Sequence, residues 1–235
     1  MQRANDSNWV GGMYLYDTET RESTLIYDNY WAYSPTWSPD GEWIAYSLWG
    51  QLFRMKLNGD SVVQLTTWGL NRRCCWSPAG SLIAYDKTAV GLWLCNADSS
   101  NHRLLYEHAG YVSWYLDGFR MAALGLGGEI YIIDTLGERY EQITANDEFK
   151  YDLDLSPNGE MIVFTQQLSG RLPNLWIVDV GGKNLTRLTS TGGRHPDWSP
   201  DGEWIVYTNL AYGNGHLWLM RPDGSEKHQI TFPAE

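Results

Sequence analysis

The 235-residue sequence predicts an all-β fold, a β-propeller of four-stranded antiparallel blades. Three observations predict it. One turn motif recurs five times at spacings of 38 to 43 residues, short aromatic or β-branched runs follow each copy, and no stretch keeps a helical period. Four short strands in a unit of about 40 residues are the signature of one propeller blade.

The turn motif is expected to join the first two strands of each blade. Its form is Trp-Ser-Pro-Asp-Gly, in which proline sets the first φ of the turn, Asp caps the turn and glycine accepts a positive φ. The tryptophan of each motif is expected to pack between neighbouring blades, which accounts for part of the 13 tryptophans. The five copies begin at Trp37, Trp76, Trp114, Leu155 and Trp198.

The runs after each turn have the composition of half-buried strands. In the first copy they occupy residues 43–46, 52–53 and 63–66, and the other copies repeat this order. The sequence therefore predicts one propeller domain over residues 1–235, with complete blades at residues 31–67, 68–107, 108–145, 146–190 and 191–232.

A half blade precedes the first complete blade. This half blade covers residues 9–30; residues 12–27 align with the third and fourth strands of a unit, and nothing before Trp9 supplies the first two. The ring is expected to close, because an open ring leaves unpaired edges. A six-bladed ring with one reduced blade is what the family resemblance of the repeat implies. A five-bladed ring with an added hairpin, or a fragment of a larger propeller, are the alternatives.

The repeat resembles a known family. The succession Trp-Ser-Pro-Asp-Gly, Ile-Ala-Tyr, Leu-Trp-Leu-Met and Gln-Leu-Thr is similar to the TolB-like, WD-like β-propeller repeat, and it extends over residues 31–232. The resemblance implies a rigid, non-catalytic scaffold that binds a protein or peptide partner at the channel mouth and rim loops. Similar propellers gate prolyl-oligopeptidase-like hydrolases or act as metal-dependent oligogalacturonate lyases. An accessory hydrolase domain and a lyase-like enzyme are therefore the alternatives, and the sequence carries no catalytic motif that decides between them.

Charge and composition limit the partners and the compartment. The net charge of −11 disfavours nucleic acid and anionic membranes, and it favours cationic peptides or metal ions. No apolar run is long enough to insert into a membrane. The polar N-terminus has no signal peptide, which indicates the cytoplasm, whereas the TolB resemblance implies the periplasm. The oligomeric state is not indicated.

Candidate site residues follow from the alternation of side chains along the first strand of each blade. If the tryptophan faces a neighbouring blade, the residues one and three positions before it face the channel. The polar residues at these positions allow three interpretations: a hydrated channel, a channel mouth that binds a peptide, or a divalent-metal site at Asp152, Asp154 and His195. No other cofactor is expected. The candidate binding residues are Arg73, Tyr111, Asp152, Asp154, His195 and Asp197, with Trp31 and Trp68 at the rim.

Overall fold

The computed structural model describes residues 12–146, 148–211 and 215–231, together with the backbone of two short paired strands, β1 (Arg3–Asn5) and β2 (Asn8–Val10). The sequence also predicts that nothing before Trp9 supplies the first two strands of the half blade. Apart from the backbone of β1 and β2, those residues lie outside the described part of the chain. The chain divides into two compact units, Met1–His108 and Ala109–Glu235. Within the described residues, no helix is long and apolar enough to span a bilayer.

The first unit holds a half blade and two complete blades, each an antiparallel sheet with its strands in chain order. The half blade pairs β3 (Met13–Tyr16) with β4 (Ser23–Tyr27). Blade 1 contains β5 (Ala32–Trp37), β6 (Trp43–Leu48), β7 (Gln51–Lys56) and β8 (Val63–Gln64). Blade 2 contains β9 (Asn71–Trp76), β10 (Leu82–Lys87), β11 (Gly91–Asn96) and β12 (Arg103–Glu107).

The second unit holds three complete blades of the same order. Blade 3 contains β13 (Gly110–Trp114), β14 (Arg120–Leu124), β15 (Ile130–Asp134) and β16 (Tyr140–Gln142), with a 3-10 turn at Leu126–Gly128. Blade 4 contains β17 (Phe149–Leu155), β18 (Met161–Gln167), β19 (Asn174–Asp179) and β20 (Thr186–Arg187). Blade 5 contains β21 (Arg194–Trp198), β22 (Ile205–Asn209), β23 (His216–Met220) and β24 (His228–Gln229).

These sheets confirm the predicted all-β class and the five four-stranded antiparallel blades. They also match the predicted half blade, since β3 and β4 form a two-stranded sheet. The six-bladed ring is not confirmed, because the structure contains five four-stranded sheets among its described residues. The single-domain assignment stays a prediction.

The turn motif works as its residues predict. In blade 1 the backbone N–H of Trp43 donates a hydrogen bond of 2.9 Å to Ser38 Oγ, and Gly41 takes a φ of 72°. The serines of blades 2, 4 and 5 accept the same bond at 2.9 to 3.0 Å. Blade 3 has no serine there, and Asp117 Oδ1 instead accepts from Arg120 N at 2.9 Å.

The tryptophan of the motif fills the space between blades in blade 2, where Trp76 packs against Ala45 and Leu52 of blade 1 and is 6% exposed. Trp114 is buried as well. The prediction is wrong for Trp37, which is 50% exposed. The physical reason is that only a half blade precedes blade 1, so the strand that would cover Trp37 is missing from the described residues.

Candidate functional site

The first strands of four blades carry a bulge at the same repeat position. The residue three before the motif tryptophan or Leu155 adopts a left-handed backbone, and the strand pairing shifts at that point. Non-glycine residues rarely take this conformation, and bulges of this kind re-aim side chains. The four residues are Ser34, Tyr111, Asp152 and His195, with φ of 51°, 47°, 53° and 50°. The assumption of simple alternation did not anticipate this bulge.

Asp154 joins the first strands of three blades in the second unit. Its Oδ1 accepts from Ser113 Oγ of blade 3 at 2.8 Å and from Leu155 N at 3.0 Å. Its Oδ2 accepts from Trp198 N of blade 5 at 2.8 Å. Both carboxylate oxygens are therefore engaged, and Asp154 holds neighbouring strands together.

Asp197 lies beside Asp154, and the two side chains are hydrogen-bonded to each other. Burial among protein atoms raises the pKa of Asp197 well above its usual range, and the negative charge of Asp154 raises it further. The side chain of Asp197 nevertheless keeps an exposed surface. Burial also raises the pKa of Asp154, against the opposing effect of its hydrogen bonds. A protonated Asp197 can donate to the Asp154 carboxylate, so the pair holds one proton more readily than two separate aspartates.

Asp152 and His195 form a second pair on the same two first strands. His195 Nε2 lies 3.6 Å from Asp152 Oδ2, and the two side chains are 65% and 9% exposed. Among the described residues, Asp152 Oδ2 has no hydrogen-bond partner although the atom is buried. The structure thus brings the four predicted residues of blades 4 and 5 together as two pairs, Asp152 with His195 and Asp154 with Asp197, which we name the acidic cluster.

Arg73 is the predicted site residue of blade 2, and it lies in the first unit. Its backbone N–H donates to Asp86 Oδ1 at 2.6 Å, and its Nη1 lies 3.6 Å from Asp86 Oδ2. Burial raises the pKa of Asp86, whereas Arg73 opposes the shift. Arg73 therefore has a carboxylate partner within its own blade.

The predicted aromatic residues have different surroundings. Tyr111 packs at the margin of the core between blades 3 and 4. Trp68 is 43% exposed and lies against Trp93, with 4.9 Å between ring centroids, and below the Lys87 ammonium. Packing within blade 2 thus explains Trp68. Trp31 is 61% exposed and contacts Tyr30 edge to face at 5.3 Å, which leaves most of its surface accessible.

The sequence reading missed a buried ion pair in the second unit. Lys150 Nζ lies 2.9 Å from Glu129 Oε2, and the side chains are 0% and 6% exposed. Glu129 also accepts from Thr144 Oγ1 and from Asn146 N, so its carboxylate is satisfied by blade 3 and blade 4 together. A lysine inside the otherwise apolar and acidic run of β17 was the available signal.

The candidate metal ligands do not form a metal site. No group of three or more His, Cys, Asp or Glu side chains in the described part of the chain is arranged to hold a metal ion. Asp154 is committed to hydrogen bonds, and Asp152 and His195 alone supply two donors. Most metal sites in proteins need more protein ligands than this.

Sequence comparisons support the resemblance that the motifs indicated. No protein-family model matches the chain. An uncharacterized protein of Agrobacterium fabrum is 25% identical over 233 residues, 94% of this chain and 65% of that protein. A TolB homologue of Chlorobium luteolum is 31% identical over 105 residues, 44% of this chain. The chain spans less than two thirds of the first of these relatives and 23% of the second.

Comparisons with solved structures agree on the fold. A structure from Agrobacterium tumefaciens, provisionally described as TolB, has a TM-score of 0.80 at 24% identity, covering 92% of this chain and 86% of that one. TolB from Acinetobacter baumannii has 0.78 at 21% identity, covering 90% and 57%. An oligogalacturonate lyase in complex with manganese has 0.66 at 16% identity, covering 96% and 73%. The predicted resemblance to TolB-like propellers is confirmed.

Proposed function

From the TolB-like β-propeller fold of this chain, we propose that it is a non-catalytic scaffold that binds a protein or peptide partner through a basic group at the acidic cluster. The observation that carries the proposal is the pairing of acidic residues across two neighbouring first strands, Asp152 with His195 and Asp154 with Asp197. In a chain of net charge −11, such a cluster attracts a lysine, an arginine or an N-terminal amine.

The four residues have different roles in this proposal. Asp154 positions the strands, because both of its oxygens already accept hydrogen bonds. Asp152 is the contact residue, since its buried Oδ2 has no hydrogen-bond partner in the described structure and a buried acceptor gains most from one. His195, at 3.6 Å, stands where the cation of a partner would approach. Half-buried Tyr111 is the proposed rim contact of the second unit. For the first unit, taken by itself, exposed Trp31 is a proposed rim contact and Arg73 the proposed contact of blade 2.

The alternative is an enzyme or an accessory domain of one. Two similarities favour it: the manganese-bound oligogalacturonate lyase shares the fold, and a dipeptidyl-peptidase 5 of Porphyromonas endodontalis is 33% identical over 85 residues, 33% of this chain. The residues of the acidic cluster do not fit a manganese site, since the described residues contain no three-ligand group. We therefore place the binding scaffold first.

The test uses short fluorescent peptides that contain one to three lysines, with the same peptides acetylated on every lysine as uncharged controls. Fluorescence anisotropy with the full chain should show saturable binding of the charged peptides, weakening as salt rises. Asp152→Asn should weaken binding at least about fivefold, equivalent to about 1 kcal/mol. Asp223→Asn makes the same charge change in an exposed turn of blade 5 and should leave binding unchanged.

Two results would overturn the proposal. Equal binding of acetylated and charged peptides would remove charge recognition, and equal effects of the two substitutions would remove the acidic cluster as the site. A metal that co-purifies stoichiometrically and is lost in Asp152→Asn would favour the lyase-like alternative.

A further inference from the structure

A cavity of about 270 Å³ lies between blades 4 and 5, within the second unit. Its inner part is lined by buried residues that follow β20 or belong to β22: Leu188, Thr189, Tyr207 and Asn209. Half-buried Trp218 of β23 completes this part, and the exposed residues at its mouth are Ser190, Thr191 and Lys227. None of these described residues belongs to the acidic cluster, so the cavity is a separate feature of the unit.

The repeat relates this cavity to a place in blade 2. In each blade a tryptophan of the third strand pairs with a tyrosine of the second strand, and the next residue to compare stands two positions after that tyrosine. A third position lies in the loop before the first strand, two residues after the threonine that ends the preceding blade and directly before a glycine. The equivalent residues are Trp93 and Trp218, Lys87 and Asn209, and Trp68 and Thr191.

Blade 2 shows what fills this place. The indole of Trp68 lies edge to face on Trp93, with 4.9 Å between the ring centroids. The Lys87 ammonium lies 3.0 Å from the centroid of the Trp68 ring. Two large side chains, one from the loop and one from the end of the second strand, therefore occupy the space beside Trp93.

Blade 5 has a smaller side chain at both of these positions, namely Thr191 in place of tryptophan and Asn209 in place of lysine. Small side chains at such positions leave a cavity when the surroundings do not collapse. Blade 4 bridges the same place, because Asn146 Nδ2 donates to Gln166 Oε1 at 3.4 Å. The cavity of blade 5 therefore has the surroundings that hold a tryptophan ring in blade 2.

The mouth of the cavity adds hydrogen-bond donors to these aromatic surroundings. The hydroxyls of Ser190 and Thr191 and the ammonium of Lys227 border it. Lys227 Nζ donates to the carbonyl oxygen of Gly224, and Asp223 is its acidic neighbour. An ammonium has three donors, so Lys227 keeps capacity for a further acceptor. Cavities of roughly half this volume bind a benzene ring.

We propose that this cavity, the indole cavity, binds a planar aromatic ring of indole size that carries a carboxylate. The ring lies against Trp218, as Trp68 lies against Trp93 in blade 2, and the carboxylate meets Lys227. A free aromatic acid and a partner's tryptophan followed by an acidic residue present the same chemistry. The inference goes beyond the proposed function, since it concerns other residues and a ligand of opposite charge.

The probes are 5-fluoroindole-3-acetate and a capped peptide, acetyl-Gly-(5-fluoro-Trp)-Asp-Gly-amide, each followed by fluorine NMR as the full chain is added. 5-Fluorotryptamine carries the same ring with a cationic group and is the charge control. At least one acidic probe should bind saturably, and the tryptamine should bind about fivefold more weakly or less. Tighter binding of the peptide would assign the ring to a partner, and tighter binding of the free acid would assign it to a small molecule; both support the indole cavity.

Thr191→Trp supplies the ring from the chain itself. It should weaken probe binding about tenfold or more and raise the melting temperature by about 2 °C, as substitutions that fill a cavity do. Thr186→Trp is the matched control, because it places the same side chain at an exposed position of β20 and should change neither quantity. Lys227→Gln should remove the preference for the acidic probes over the tryptamine.

Three results would overturn the proposal: no saturable binding of either acidic probe, equal effects of the two tryptophan substitutions, or an unchanged charge preference in Lys227→Gln. Lys227 is exposed, so its substitution decides the matter even where Thr191→Trp does not fold. The lysine-peptide test does not depend on any of these results, because it concerns the acidic cluster.

Discussion

At the scale of single residues, the carboxyl pair of Asp154 and Asp197 links stability to pH. Both pKa values are raised, so the folded chain holds a proton that the unfolded chain releases. The stability that this proton provides is complete below the ordinary aspartate value near 3.8 and is lost as pH rises through the folded-state values. In Asp197→Asn the side-chain amide still donates a hydrogen bond to Asp154, and it does so without the proton that the aspartate pair must bind.

We therefore expect Asp197→Asn to melt higher than the parent chain at pH 7.5, and this advantage should shrink towards pH 4. The exposed surface of Asp197 weakens the effect, so the gain is about 0.5 kcal/mol, or ~1–2 °C. Circular dichroism melts from pH 4 to 8 measure it. Asp223→Asn should instead melt lower than the parent chain at pH 7.5, because hydrogen bonds with Ser225 lower the pKa of Asp223 and so stabilise the fold when Asp223 is ionised. This deficit should shrink as pH falls. A pH-independent difference for Asp197→Asn would contradict the shared proton.

The residues that sequence reasoning identified correctly act locally. Ser38 and Gly41 determine a turn within a few positions of themselves, so their roles follow from their spacing. The convergence of Asp152 with His195 follows from repeat equivalence, since equal positions of neighbouring first strands lie side by side. The left-handed φ of Asp152 was not predictable in this way, because it accompanies a shift in the pairing of β17 with β18. The burial of Lys150 was not predictable either, because it depends on Glu129 of the preceding blade.

At the scale of one blade, a threonine at the end of the fourth run secures the start of the third strand. In blade 4 the backbone N–H of Leu175 donates to Thr189 Oγ1 at 2.9 Å, and Thr189 Oγ1 donates to Asn174 Oδ1 at 3.2 Å. The same backbone bond occurs in blades 1, 3 and 5, at 2.8 to 3.0 Å. The threonine of the Gln-Leu-Thr run therefore links the end of the fourth strand to the start of the third strand of a blade.

Thr189→Val should destabilise the chain by about 1–3 kcal/mol, because valine keeps the volume of threonine and leaves a buried N–H without its acceptor. Urea denaturation followed by circular dichroism measures the loss. Thr186→Val in β20 replaces an exposed threonine of the same blade and should change stability by less than about 0.5 kcal/mol. Similar losses for both variants would show that Thr189 Oγ1 contributes nothing specific.

At the scale of the whole molecule, the repeat makes five copies of one structure with unequal neighbours. Sequence alignment treats Trp37 and Trp76 as equivalent, and their turns are indeed the same. Their burial differs by 44 percentage points, from 50% to 6% exposed, because blade 2 follows a complete blade and blade 1 follows a half blade. A repeat pattern predicts the fold of each copy, whereas the burial of its outer face depends on which copy precedes it.

This difference predicts unequal costs for one chemical change. Trp76→Ala removes a side chain enclosed by Ala45, Leu52 and Ile83 and should cost about 3–5 kcal/mol. Trp37→Ala removes a side chain that is already half in solvent and should cost less than about 1 kcal/mol. Thermal melts of the two variants at equal concentration measure the contrast. Equal losses would mean that Trp37 is covered in solution.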